Sequence, residues 1–215
     1  MSVSRIAIAL GAALAFAGAA QAQDFRPKEK GLVMLNVRIT DVAPDAGDSI
    51  NTAAGAATGL RADVSDAVMP TIGLTYFLTD NIAVEAIATT THHTVRAKGP
   101  STNVKVHDTW VIPPVVSLQY HFAPKSKISP YVGAGVNYMI FYSGEDSNGF
   151  DVNLKDGFGY ALQAGVDVAT QGPWSANLDV KKVFFDTKAD INNGALKSKV
   201  KLDPWVVSAG FGYKF

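Results

Sequence analysis

The sequence predicts an all-β protein: an eight-stranded antiparallel transmembrane β-barrel with short periplasmic turns and long extracellular loops. Three observations predict it. Apolar and polar residues alternate with period two from about residue 30 onward, while helix-period stripes are scarce. The segments between alternating runs are short and long by turns. The chain ends on SAGFGYKF, where Ala209, Phe211, Tyr213 and Phe215 share one parity and Ser208, Gly210, Gly212 and Lys214 the other.

The elements follow in order. Arg5 precedes an apolar run over 6–20, and Ala20-Gln21-Ala22 has the form of an A-x-A cleavage site. Residues 1–22 are therefore predicted to be a signal peptide removed on export, leaving 23–215 as one barrel domain. The first strand spans 30–42, with Val33, Leu35, Val37 and Ile39 on one face. The second spans 68–77, and the third runs from 82 to about 91. The fourth, 110–122, carries Trp110, Ile112, Val116, Leu118, Tyr120 and Phe122 on its apolar parity. The fifth to eighth span 130–142, 157–169, 174–185 and 202–215. Turns at 78–81, 123–129 and 170–173 are short and polar. Loops at 43–67, 92–109, 143–156 and 186–201 are long and rich in Gly, Asp, Asn, Ser and Lys. That rhythm places both ends of the barrel at the periplasmic rim.

Alternation alone does not say which face meets solvent, because a soluble barrel turns its apolar face inward and a membrane barrel turns it outward. Three features favour the membrane. Aromatic residues gather at strand ends on the apolar parity: Tyr76, Trp110, Tyr120, Phe122, Tyr142, Phe158, Trp174, Trp205 and Tyr213. Glycines crowd the other parity, as a narrow lumen requires. Closing the first strand on the eighth leaves no unpaired edge in lipid.

The inward parity then divides by height. Met69, Val111, Pro113, Val115, Met139, Phe141, Val183, Phe185 and Val206 stand in the upper lumen and form an apolar cup. Lower down stand Arg38, Glu85, Asp179 and Lys181, expected to pair as a charged plug. Pro113 and Pro114 lack N–H donors, so the fourth strand cannot complete its ladder there, and Pro70 and Pro204 interrupt the wall near the same height. These positions suggest lateral release of a small apolar solute into the bilayer. Packing of the barrel interior by the same residues is the plainer reading of the cup, and a structural charge ladder that of the plug. Lys182 falls on the lipid parity and is expected either to snorkel to the outer interface or to sit beside a bulge that resets parity.

Four segments carry a family resemblance: PPVVSLQYHF (113–122), PYVGAGVNYMIF (130–141), LDVKKVFFDT (178–187) and DPWVVSAGFGYKF (203–215). They resemble the outer membrane protein W (OmpW) family. The resemblance implies an outer-membrane barrel of a Gram-negative bacterium and a narrow channel for small hydrophobic molecules. It also implies periplasmic chaperones and the barrel-assembly machinery as partners during biogenesis, with Phe215 as the assembly signal.

Other chemistry fits less well. A formal net charge of zero offers nothing to nucleic acid, and the absence of cysteine removes disulfides and thiolate sites. His92, His93 and His107 could meet at the outer rim, but they lack the spacing of a metal site and are expected to be solvated; neither metal nor cofactor is predicted. A lipid-modifying enzyme would need a rim histidine beside Ser101 and Asp108, and nothing in the spacing brings them together. A structural, receptor or adhesin barrel that works through its loops is the alternative to transport.

Overall fold

The computed structural model describes residues 25–215, so the predicted signal peptide lies outside the described residues. Among the described residues fifteen strands follow one another: β1 (Val33–Ala43), β2 (Ser49–Thr52), β3 (Ala57–Val64), β4 (Ala67–Phe77) and β5 (Ile82–Ala88). Next come β6 (Thr91–Gly99), β7 (Thr102–Ile112), β8 (Val115–His121), β9 (Ile128–Asp146) and β10 (Val152–Leu154). The last are β11 (Gly157–Ala169), β12 (Trp174–Phe184), β13 (Asp186–Ile191), β14 (Leu196–Lys201) and β15 (Trp205–Lys214).

Eight of them form the membrane barrel. The order β1-β4-β5-β8-β9-β11-β12-β15 is antiparallel throughout, and β15 returns to β1 with Met34 opposite Lys214. The ring therefore has no edge to leave open in lipid. Alternation becomes burial directly. On β1, Val37 and Ile39 are 53% and 60% exposed, while Asn36, Arg38 and Thr40 are buried. Phe158, Tyr160, Trp110 and Trp205 stand exposed near one rim, and Tyr76, Tyr120, Phe122, Trp174 and Phe215 near the other. In water this outer face would be an untenable apolar surface; against acyl chains with aromatic girdles at the interfaces it is the expected one.

The predicted long loops are mostly strand. The run β10-β13-β14-β2-β3-β6-β7-β9 forms a second sheet that stands on the barrel, with β9 shared between the two. Sequence alternation fails there because bulges at Ile50/Asn51, Val95/Arg96 and Thr109/Trp110 shift parity partway along the strands.

The wall is interrupted where the two sheets meet. Ile87 pairs with Val115 and Thr91 with Val111, but the ladder lapses across Thr89–Thr90 and Pro113–Pro114. The Pro114 carbonyl is held from the other side by the N–H of Tyr138, at 3.2 Å, and Thr89 Oγ1 donates to the Pro70 carbonyl at 2.9 Å. Pro204 makes no such gap, since its carbonyl accepts the N–H of Val183 at 3.1 Å. At the opposite end, residues 25–31 cross the short turns: the Arg26 N–H bonds the Gly172 carbonyl and that of Lys28 the Pro124 carbonyl.

Candidate functional site: an apolar cavity above a charged plug

Inward side chains of the lower barrel meet in one polar network. Lys28 enters from the segment below and is fully buried; its Nζ lies 2.6 Å from Asp167 Oδ2, 2.9 Å from Ser129 Oγ and 2.9 Å from His121 Nδ1. His121 directs Nε2 to Gln119 Oε1 at 3.1 Å, so Nδ1 is the nitrogen free to accept from Lys28. Phe77 and Tyr131 flank the ammonium at 5.9 and 6.0 Å from their ring centres. Asn177 links this tier to the next: its amide donates to Asp167 Oδ1 at 2.7 Å and its carbonyl accepts from Arg38 Nε at 2.6 Å.

The upper tier is the predicted plug with two additions. Arg38 meets Glu85 at 2.8 Å, and Lys181 reaches Glu85 at 3.2 Å while also holding Asp179. Gln163 donates to Glu85 at 2.8 Å and to Asp179 at 2.6 Å, and the Tyr131 hydroxyl donates to Asp179 at 2.7 Å. Each tier balances its charge: Lys28 with Asp167, then Arg38 and Lys181 with Glu85 and Asp179. Ions taken out of water need such matching. Below the network, Lys214 gives its ammonium to the Arg26 carbonyl at 2.8 Å. Gly165 makes room for this packing, since a Cβ there would lie 2.4 Å from the Tyr131 ring.

Above the plug the same strands turn apolar. Val42, Ile87, Val111, Val115, Met139, Ala161, Val183, Phe185 and Val206 form a buried cluster with Phe141 and Leu202 against it. All of these but Ala161 and Phe185 line a cavity of about 1250 Å³, counting its part open to solvent. Higher up, Ile50, Val106, Val152 and Ile191 of the second sheet continue the lining. The structure brings together eight of the nine residues predicted for the cup: Val111, Val115, Met139, Val183, Phe185 and Val206 in the cluster, Phe141 against it, and Pro113 on the cavity wall. Met69 is the correction; it is only partly buried and does not line the cavity. Thr89 and Pro113 both line it, so the cavity reaches the lapse in the wall.

Sequence reasoning missed several participants. Lys28 precedes the first alternating run, so no parity was available to turn it inward. Tyr131 shares the inward parity but is aromatic, and in a membrane barrel aromatic residues are expected on the lipid side. Ile87, Val42 and Ala161 lie on that parity too and could have been found from it.

The remaining candidates are placed as follows. His93 and His107 are buried in the second sheet, contrary to the expectation of solvated histidines. His93 Nδ1 donates to the Ser65 carbonyl at 2.8 Å, and burial holds its pKa below the ordinary value; His107 Nδ1 meets Asp146 at 2.8 Å. His92 packs on Trp110 with ring centres 4.9 Å apart. Among the described residues no group of three His, Asp or Glu is disposed to hold a metal ion. Asp108 takes a bond from Thr94 and an ion pair from Lys105, while Ser101 lies at the tip of the β6–β7 hairpin, far along it from His93. Lys182 gives its ammonium to the Asp203 carbonyl and lies 5.0 Å from the Trp205 ring, at the upper aromatic band. Phe215 is exposed at the lower rim, edge-on to Tyr213 at 4.8 Å.

Known proteins resemble this chain in sequence and fold. The chain is 37% identical to the uncharacterized outer-membrane protein y4mB of Sinorhizobium fredii, over 98% of this chain and 96% of that one. It is 27% identical to the dibenzothiophene metabolism operon protein PahQ of Pseudomonas aeruginosa, over 83% and 86% of the two chains. The crystal structure of the outer membrane protein OprG from Pseudomonas aeruginosa superposes with a TM-score of 0.83 at 31% identity, covering 89% of this chain and 99% of that one. The family model of OmpW matches residues 29–215, and the chain belongs to the OmpW family of outer-membrane β-barrels.

Proposed function

We propose that this barrel admits small hydrophobic molecules from outside the cell into its upper cavity and releases them sideways into the bilayer. The observation that carries the reading is the junction of three features at one height: an apolar cavity, a charge-matched plug beneath it, and a lapse in the wall beside it. A solute that removes ~150 Å² of apolar surface from water gains about 4 kcal/mol in the cavity. Moving down, it would displace side chains that are bonded to one another and lose that gain. Moving sideways past Thr89 and Pro113, it would break no ladder bond and enter acyl chains of the same polarity. The relative named for a dibenzothiophene metabolism operon supports the reading, since dibenzothiophene is a small apolar ring compound. In the same reading, Phe215 at the lower rim is what the assembly machinery meets on the way to the membrane.

The test is to sew the wall shut. Ile87 opposite Val115 and Thr91 opposite Val111 set Thr89 opposite Pro113 across the lapse. The chain has no cysteine, so a Thr89→Cys, Pro113→Cys pair would form without competition. Uptake of a small aromatic hydrocarbon should fall when the pair is oxidised and return on reduction. Uptake indifferent to the crosslink would exclude the lateral route. Uptake no greater than in cells without the protein would exclude transport and favour a surface-binding role.

A further inference from the structure

We propose that the floor of the cavity is a head-group site, and that its preferred solutes are apolar chains or rings bearing one uncharged hydroxyl rather than plain hydrocarbons. The inference rests on the transport reading and narrows its substrate class.

The apolar belt ends on a defined rung, where Ile87, Val115 and Asn137 are successive partners on β5, β8 and β9. Asn137 is 1% exposed and lines the cavity. Its Nδ2 donates to the Pro114 carbonyl at 3.0 Å. That carbonyl can only accept, so the amide orientation is fixed and Oδ1 faces away from it. Asn137 Oδ1 has no hydrogen-bond partner, and neither has Thr71 Oγ1, which is likewise buried on the cavity wall. The other polar lining at this level is engaged. Thr40 and Ser208 bond each other at 2.8 Å, Arg38 lies 2.8 Å from Glu85, and Lys181 holds Glu85 and Asp179. Open atoms on Asn36, Ser117 and Gln163 belong to residues off the cavity lining, within the plug.

The open groups on the floor are thus a carbonyl acceptor and a hydroxyl. Buried polar atoms without partners are unfavourable, and a bound molecule that completes them is selected over one that does not. A solute hydroxyl can donate to Asn137 Oδ1, or exchange a bond with Thr71 Oγ1. A hydrocarbon filling the same space expels water and leaves both atoms bare. A carboxylate has no proton for Asn137 Oδ1 and adds a third anion to a tier balanced at two cations and two carboxylates. An ammonium upsets the same balance in the other direction. Because Asn137 also holds Pro114, the residue that reads the head group is bonded to the wall beside the lapse.

The experiment uses the folded full-length barrel in lipid nanodiscs, with 1-decanol, decane and decanoate as probes. Each reading is corrected for partition into empty nanodiscs. Decanol should bind roughly tenfold more tightly than decane, the value of one well-made hydrogen bond, and decanoate at pH 8 should bind more weakly than decanol. Asn137→Leu should remove the preference by lowering decanol affinity and raising that of decane. Thr71→Val, which keeps the side-chain shape, should reduce the preference several-fold and stands in if the first variant fails to show the heat-dependent gel shift of a folded barrel. Equal binding of decanol and decane by the unaltered protein, or a preference that survives both folded variants, would remove the head-group site alone. Failure of both probes to bind would remove the transport reading with it.

Discussion

The lower and upper halves of the lumen are built from the same strands on the same parity, yet they do opposite things with the space. On β1, Arg38 lies in the plug and Val42 in the apolar cluster, two inward positions apart. On β12, Asp179 and Lys181 give way to Val183 at the next inward position. The lower half fills its cross-section with side chains that bond one another. The upper half lines its cross-section and leaves it open. Period two therefore decides which residues face inward, and height along the strand decides whether the interior is closed or vacant. A barrel of eight strands is just wide enough for either outcome.

The largest test of that contrast removes an anion from the centre of the plug. Glu85 receives Arg38 at 2.8 Å, Lys181 at 3.2 Å and Gln163 at 2.8 Å. Glu85→Leu leaves two buried cations short of a partner and should cost about 3–5 kcal/mol in urea unfolding from lipid vesicles. A loss below about 1 kcal/mol would mean that water, rather than charge matching, fills the lower lumen. Phe141→Ala makes the comparison from the other half. Phe141 lines the cavity, its ring centre 6.3 Å from that of Phe185. Truncation in a closed core costs about 3–5 kcal/mol, partly for the void it leaves. Here the void already exists, so the loss should be nearer ~1.5 kcal/mol, and the variant should admit bulkier apolar probes in a binding assay. A loss as great as that of Glu85→Leu would make the upper half a packed core and the cavity incidental.

Legibility in the sequence follows the same division. The eight membrane strands could be read because lipid outside and a polar lumen inside impose unbroken alternation, as Asn36 to Thr40 on β1 illustrate. Arg38, Glu85, Asp179 and Lys181 could be read because charges on the inward parity of a narrow barrel have only each other. Lys28 was hidden because it reaches the lumen from a segment with no strand parity. The second sheet was hidden because Val95/Arg96 and Thr109/Trp110 carry bulges, and because one side of its hairpins faces water, where polar residues are under no pattern. Met69 was misplaced by parity alone: Ala67 and Thr71 beside it on β4 are buried, but the strand's upper end pairs with β1 on one side and faces the Thr89–Thr90 lapse on the other. Asn137 lies on the inward parity of β9, which alternation can show; its open carbonyl depends on where Pro114 points, which no spacing encodes.

The smallest effect is the most informative about where one half ends. Thr40 Oγ1 and Ser208 Oγ lie 2.8 Å apart, both buried, at the rung between the plug and the cluster residues Val42 and Val206. Either hydroxyl alone would be an orphan. Thr40→Val or Ser208→Ala should therefore each cost about 1 kcal/mol, because the surviving hydroxyl loses its partner. The pair together should cost close to nothing, since two apolar groups replace two matched polar ones, and the coupling in the double-mutant cycle should be about 2 kcal/mol. The double variant would also move the apolar boundary down by one rung without touching a charge. If the cavity is bounded by chemistry, as the contrast between the halves requires, the double variant should hold a longer alkane than the unaltered protein, against the same plug. If alkane length is unchanged, the floor is set by the bulk of Arg38 and Lys181, and the polar rung above them is only their neighbour.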